Sequence, residues 1–131
     1  MANGLYTNFK DGLMNQQYDL YDDTLNVAIL NNTYTVDLFA NTTYSASGAD
    51  AAEIATEVLA GASINGGDFD AADHTFLAVA AGNTVTQMVI YHNGTGDLIA
   101  YFDEDSSGAI NVVTNGANIT INWNVVAIFA L

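Results

Sequence analysis

The sequence contains no cysteine and no proline, and Lys10 is the only Lys or Arg among its 131 residues. Without cysteine there is neither a disulfide nor a thiolate metal site, and redox compartment cannot be read. Without proline, turns must be built from Gly, Asn, Asp and Ser, which do punctuate the chain. The near absence of cations excludes the counterion-releasing contacts that nucleic-acid binding needs, and it disfavours an anionic membrane surface. Fifteen acidic residues leave a formal charge of −14, which favours solubility, deters self-association and suits a partner with basic docking patches. Long apolar runs are also lacking. None approaches the roughly 18–20 residues that cross a bilayer. The opening Met1-Ala2-Asn3-Gly4-Leu5 has no basic region followed by an apolar stretch, so no signal peptide is expected and synthesis in a cytoplasm is.

What is present is apolar content. Half of the residues are hydrophobic and 12% are charged, too apolar for a disordered acidic tail and enough for one core. A single domain over residues 1–131 is the expectation. Leu5, Tyr6, Phe9 and Leu13 fall three and four apart, which predicts a short helix over about residues 3–15. A strand follows at Leu25–Leu30. Asn31-Asn32, with Tyr34, Val36 and Leu38 alternating after it, suggests a hairpin. Asp50-Ala51-Ala52-Glu53 resembles a capping box, Ile54 and Val58 sit four apart and Gly61 can end a helix, so residues 50–61 read as about two helical turns. Beyond Gly66, strand patterns recur at Thr75–Ala80, Gln87–Tyr91, Leu98–Phe102 and Ala109–Val113. From Ile119 to Val125 apolar and polar residues alternate, which places Trp123 on a buried face. Six or seven strands at short, regular spacing predict an all-β, antiparallel β-sandwich, or a barrel-like sandwich, with a short N-terminal helix.

Chemistry-bearing constellations are thin. His74 and His92 occupy strand ends with no nearby partner motif. Serines 45, 47, 63, 106 and 107 lie in turn-like segments, none in a Gly-x-Ser-x-Gly context. The pairs Asp22-Asp23 and Asp68/Asp70 fall where turns want Asp. Four Asn-x-Thr triplets, at Asn31, Asn41, Asn93 and Asn118, read as turn and strand chemistry in the absence of a secretion signal. Asp103, Asp105, Ser107, Gly108 and Ile110 match the opening of an EF-hand calcium loop, but Thr114 stands where the bidentate acid belongs and both flanks read as strand. An acidic hairpin loop is therefore expected, with no metal. Phe9, Tyr34, Phe76, Phe102 and Trp123 sit in the apolar phase of their elements and read as core. No catalytic, cofactor or metal residue is predicted, and no enzyme.

Taken in order, the pieces resemble a family of small virion structural proteins of tailed bacteriophages. They are Leu5-Tyr6 with Phe9, Tyr18-Asp19-Leu20, Asp23-Thr24 and Leu25–Leu30, then Tyr34–Leu38 and Phe69–Phe76. Val89–Asn93, Leu98–Asp103, Val113–Gly116, Asn118–Trp123 and Ile128–Leu131 complete the set. The family's relatives are often encoded near major capsid genes. The resemblance implies a β-sandwich with no catalytic residues, made in a host cytoplasm and carried on the capsid exterior as a decoration (cement) protein. The major capsid protein or another virion protein is the implied partner, and homo-oligomers are possible. A tail or head-to-tail component is the alternative. A secreted β-sandwich adhesin or carbohydrate-binding module is the reading from a different class. Relatives usually carry more Lys and Arg in the strands. They are also extended around Ile54–Thr56, which sets the resemblance against the helix read there.

Overall fold

The computed structural model describes residues 3–105, 108–123 and 128–130. The strands in chain order are β1 (Gly4–Leu5), β2 (Leu25–Leu30), β3 (Glu53–Val58), β4 (Ser63–Asn65), β5 (Asp68–Asp70), β6 (His74–Phe76) and β7 (Thr84–Val85). They continue with β8 (Gln87–His92), β9 (Leu98–Phe102), β10 (Glu104–Asp105), β11 (Gly108–Ala109), β12 (Val112–Val113), β13 (Ile119–Ile121) and β14 (Phe129–Ala130). One α-helix, α1, spans Thr7–Met14. The protein is all-β, built from open antiparallel sheets as a sandwich is, with no closed barrel among the described residues.

The centre is a five-stranded sheet in the order β1-β9-β8-β2-β3. The runs Leu25–Leu30, Gln87–His92 and Leu98–Phe102 are apolar on both faces because both faces are covered, and nearly every residue in them is buried. Register separates the two faces. Val27 lies opposite Ile90, and Ile29 opposite Met88. Ile90 lies opposite Ala100 and Met88 opposite Phe102, so these residues make one apolar face. The small strand pairs cover it: Phe76 of β6 is buried, Phe102 meets Trp123 at a ring distance of 5.9 Å, and Phe129 of β14 meets Phe69 of β5 at 5.1 Å. Phe129 also meets Phe9 of α1 edge-on at 6.0 Å. The other face carries Asn26, Ala28, Val89, Gln87 and Tyr101, and the long segment 31–52 folds over it.

Three expectations need correction. The helix is shorter than residues 3–15, because Gly4 and Leu5 pair with Tyr101 and Ala100 and extend the sheet instead. It ends in a Schellman arrangement: the Gln17 N–H donates to the Gly12 carbonyl and the Gln16 N–H to the Leu13 carbonyl, with Gln16 left-handed at φ +61°. Second, residues 33–38 do not pair back on β2, which already has β3 and β8 on its two sides. They form the covering loop, and Tyr34 is buried in it. Third, the helix over 50–61 reduces to one 3-10 turn, Ala49–Ala52, before the chain enters β3. Ile54 and Val58, four apart, fit an extended strand as readily as a helix, and pairing with β2 decides between them.

Two further differences concern the apolar strands. The run at Thr75–Ala80 is a strand only over His74–Phe76, because Ala78 turns left-handed at φ +48° and its N–H is taken by the Asn118 side chain at 2.9 Å. Trp123 is half-buried, not buried. Its indole N–H donates to the Ala72 carbonyl at 3.1 Å, which holds the ring's polar edge at the rim of the core. The end of the predicted strand, Asn124–Val125, lies outside the described residues.

Candidate functional site

The sheet face under residues 31–52 carries the most organised polar chemistry, and tyrosines supply nearly all of it. Gln87 is its hub and is buried. Its amide nitrogen, Nε2, donates to the Asn31 carbonyl at 2.7 Å and the Tyr34 carbonyl at 3.0 Å, while its Oε1 accepts from the Tyr101 hydroxyl at 2.6 Å. The Tyr34 hydroxyl donates to Asn41 Oδ1 at 2.8 Å, which leaves it to accept from Tyr6 at 2.8 Å. Farther along the face Tyr44 stacks on Tyr91 at 4.1 Å and 7°, and its hydroxyl donates to Glu53 Oε1 at 2.7 Å. Burial pushes the phenols of Tyr6, Tyr44 and Tyr101 upward, and so do the Tyr34 hydroxyl bonded to Tyr6, the Glu53 carboxylate bonded to Tyr44 and the negative charge of Asp103 beside Tyr101. Tyr34 is raised by burial, with the Asp37 carboxylate adding to it, against the pull of its hydrogen bonds. With so few cations in the chain, phenols take the place of ammonium groups as donors to carboxylates.

The sequence candidates are dispersed. His92 Nδ1 accepts from the N–H groups of Gly94 and Thr95, so the proton sits on Nε2, which points at Asp23 Oδ2 at 3.1 Å. Beside it the Tyr18 hydroxyl donates to Asp97 Oδ2 at 2.6 Å, and burial with this carboxylate pushes that phenol up too. This cluster ties the 92–97 turn to the chain entering β2. His74 lies elsewhere, on β6, with Nε2 3.2 Å from Glu57 Oε1 and its ring edge-on to Phe76. Ser47 bonds main-chain atoms of Tyr44 and Ala49, Ser45 lies exposed in the same turn, and Ser63 pairs with Asp70 in the β4–β5 ladder. Asp22 is exposed in the turn before β2, and Asp68 flanks Phe69 in β5. Ser106 and Ser107 lie outside the described residues.

The calcium-like segment is a hairpin, with Glu104 opposite Ala109 and Asp105 opposite Gly108. Its N–H groups at Asp103 and Glu104 are capped by the Asn3 side chain at 2.9 and 3.1 Å. Thr114, at the twelfth position, is buried and bonded to Asn83 through both its hydroxyl and its N–H, away from the hairpin. Among the described residues no three His, Asp or Glu side chains are grouped to hold a metal ion. Two of the four Asn-x-Thr triplets act locally through their side chains, Asn31 accepting from the Thr33 N–H and Asn41 from the Asp37 N–H, while Asn118 accepts from the Ala78 N–H, 40 residues away. Asn93 sits in the turn between β8 and β9.

Two shallow depressions remain. One, of about 560 Å3, opens beside Gln87, Tyr101 and Asp103, where both ends of the Gln87 amide are already bonded within the fold. The other, of about 540 Å3, lies between the end of α1 and the β4–β5 hairpin, around Leu13, Tyr18, Ile64 and Phe69. Neither gathers a nucleophile, a base and an orienting group.

Sequence reasoning did not single out β3, the outer strand of the central sheet. The Leu59 N–H donates to the Leu25 carbonyl at 2.8 Å, and Val27–Glu57 and Ile29–Ala55 continue that phase of the ladder. In an antiparallel pair the alternate residues turn their N–H and C=O groups the other way, so those of Thr56 and Val58 point out of the sheet. Among the described residues no strand pairs on that side. Glu57 and Val58 are exposed, Val58 to 52%. The sequence alone carries no signal for this edge, because sheet order is set by tertiary pairing. No protein-family model, curated protein or solved structure matches the chain.

Proposed function

We propose that the protein is a structural component of a tailed-bacteriophage virion, bound outside the head as a decoration (cement) protein that stabilises the shell and carries no catalytic role. The ordered sequence pieces support the virion setting. The observation that carries an assembly role is the open six-residue edge of an otherwise covered central sheet. Charge supports the exterior. A chain at −14 with one lysine gains nothing from packaged DNA, whereas outside the shell its charge keeps particles apart. Copies bound across capsid subunits stabilise by linkage, because they favour the assembled state.

The test is antibody labelling of intact particles, together with heating of particles that carry or lack the protein. Labelling over the head and a higher disruption temperature with the protein bound are expected. Labelling confined to the tail replaces this reading with the tail or head-to-tail component. Absence from particles removes the virion reading.

A further inference from the structure

We infer that β3 is the docking edge and that its occupant is an extended segment of a neighbouring virion protein, added as a further strand with Lys or Arg beside Glu57. The partner's identity rests on the reading proposed above; the edge and its chemistry rest on the fold.

The central sheet has two edges, and they differ. The β1 edge is two residues long, and Asn3 next to it is bonded to Asp103 and Glu104. The β3 edge is six residues long and presents the N–H and C=O groups of Thr56 and Val58 to one side. Exposed edges are usually defended by Lys, Pro or a bulge that twists the strand away. This one has neither Lys nor Pro, and its register irregularity falls between Ile29 and Leu30, opposite its first residues. The stretch from Ala55 to Val58 is left regular and available for main-chain pairing.

Charge decides the occupant. A second copy would bring another −14 with no lysine or arginine in its own β3, so self-pairing is opposed. Glu57 is 45% exposed with its Oε1 3.2 Å from His74 Nε2, and a side chain on an added strand would lie within about 4.5–5.5 Å of it, Cβ to Cβ. A cation there is favoured, and an apolar residue is favoured beside the exposed Val58. The strand to be added therefore alternates basic and apolar positions. Four main-chain groups give a weak individual contact, and repeated copies on a shell multiply it.

The test is binding of the purified full-length protein to particles that lack it. Val58→Pro removes an outward N–H and leaves the bonds to β2 in place. Glu57→Gln removes the charge and keeps the shape. Both are expected to keep the wild-type circular dichroism spectrum and to bind at least tenfold more weakly, while Phe39→Ser, at a residue 81% exposed in the covering loop, binds as wild type. In bound wild-type protein the Thr56 and Val58 amides are expected to gain protection from hydrogen exchange. Wild-type binding with Glu57→Gln unaffected and those two amides unprotected overturns the edge and leaves the decoration reading standing. Wild-type protein that does not bind such particles at all overturns the decoration reading and this partner with it.

Discussion

Replacing Gln87 by glutamic acid changes one atom and inverts the chemistry of the buried hub. In the wild type Nε2 donates to two carbonyls, at 2.7 and 3.0 Å, and Oε1 accepts from Tyr101. A protonated carboxyl in its place can still accept from Tyr101 and donate once, so one bond is lost, at a cost of about 1–2 kcal/mol. An ionised carboxylate aims a negative oxygen at carbonyl oxygens in a buried site, which raises its pKa above the unfolded value of about 4.3. Below that unfolded pKa the protonated form prevails in both states, and the deficit stays at its smallest. As pH rises towards the raised folded pKa, each unit adds about 1.4 kcal/mol of destabilisation. The deficit relative to wild type is thus about 2–3 kcal/mol at pH 5 and about 5–6 kcal/mol by pH 7. Urea unfolding at the two pH values, both above the sequence pI of 4.1, measures it. Gln87→Leu, which cannot ionise, should show a loss that does not grow with pH. A Gln87→Glu deficit that is equal at both values, or larger in acid, refutes the assigned donor geometry.

Three more outcomes follow from local geometry. Gln16→Gly should raise stability by about 0.5–1 kcal/mol, seen as a higher urea midpoint, because glycine adopts the left-handed helix-ending conformation without the Cβ penalty. Gly12→Ala should lower it by about 1–3 kcal/mol despite alanine's helix propensity, because the new Cβ would meet the Tyr18 ring, which Asp97 and Phe9 hold in place. In absorbance titration at alkaline pH, Tyr6, Tyr18, Tyr34, Tyr44 and Tyr101 should not ionise near pH 10 while the fold lasts. Their folded pKa values are raised, so the stability they add is complete below about pH 10 and is lost as pH rises beyond it; their ionisation should accompany unfolding in one step.

How much of this was legible depended on where burial or pairing made the choice. Leu98–Phe102 and Leu25–Leu30 were readable to the residue because they are apolar on both faces, and only a covered strand rewards that composition. Phe9, Tyr34 and Phe76 were readable as core for the same reason. Residues 50–61 were not, since Asp50 and Glu53 imitate a capping box while Glu53 is in fact held by Tyr44, nine residues back. Tyr34, Val36 and Leu38 alternate like a strand, yet what they face is the polar side of the sheet, and no ladder remains for them to join. Half-burial of Trp123 depends on the Ala72 carbonyl, contributed from 51 residues away. Among candidate sites, the acidic hairpin was placed correctly, but its arms are Glu104–Asp105 and Gly108–Ala109, while the strands expected to form it pair elsewhere, Leu98–Phe102 with β8 and β1 and Val112–Val113 with β7. The β3 edge was hidden because an edge is a property of sheet order, and sheet order is set by tertiary pairing.

The order β1-β9-β8-β2-β3 has a consequence for how the chain is made. Only β8 and β9 are joined by a short turn; Leu5 finds Ala100, and Leu25 finds His92. Such non-local pairing makes folding slow, because loop closure must precede the contacts that reward it. Synthesis proceeds from the N-terminus, so β2 emerges roughly 60 residues, or about 3–12 s at ribosomal rates, before the strand that will flank it on one side. Until then β2, apolar at every position but Asn26, has β3 as its available neighbour in the central sheet. Expression yield should therefore respond to translation speed and to chaperone supply more than to substitutions on the finished surface, and the carboxylates around β2 guard a nascent chain as well as a folded one.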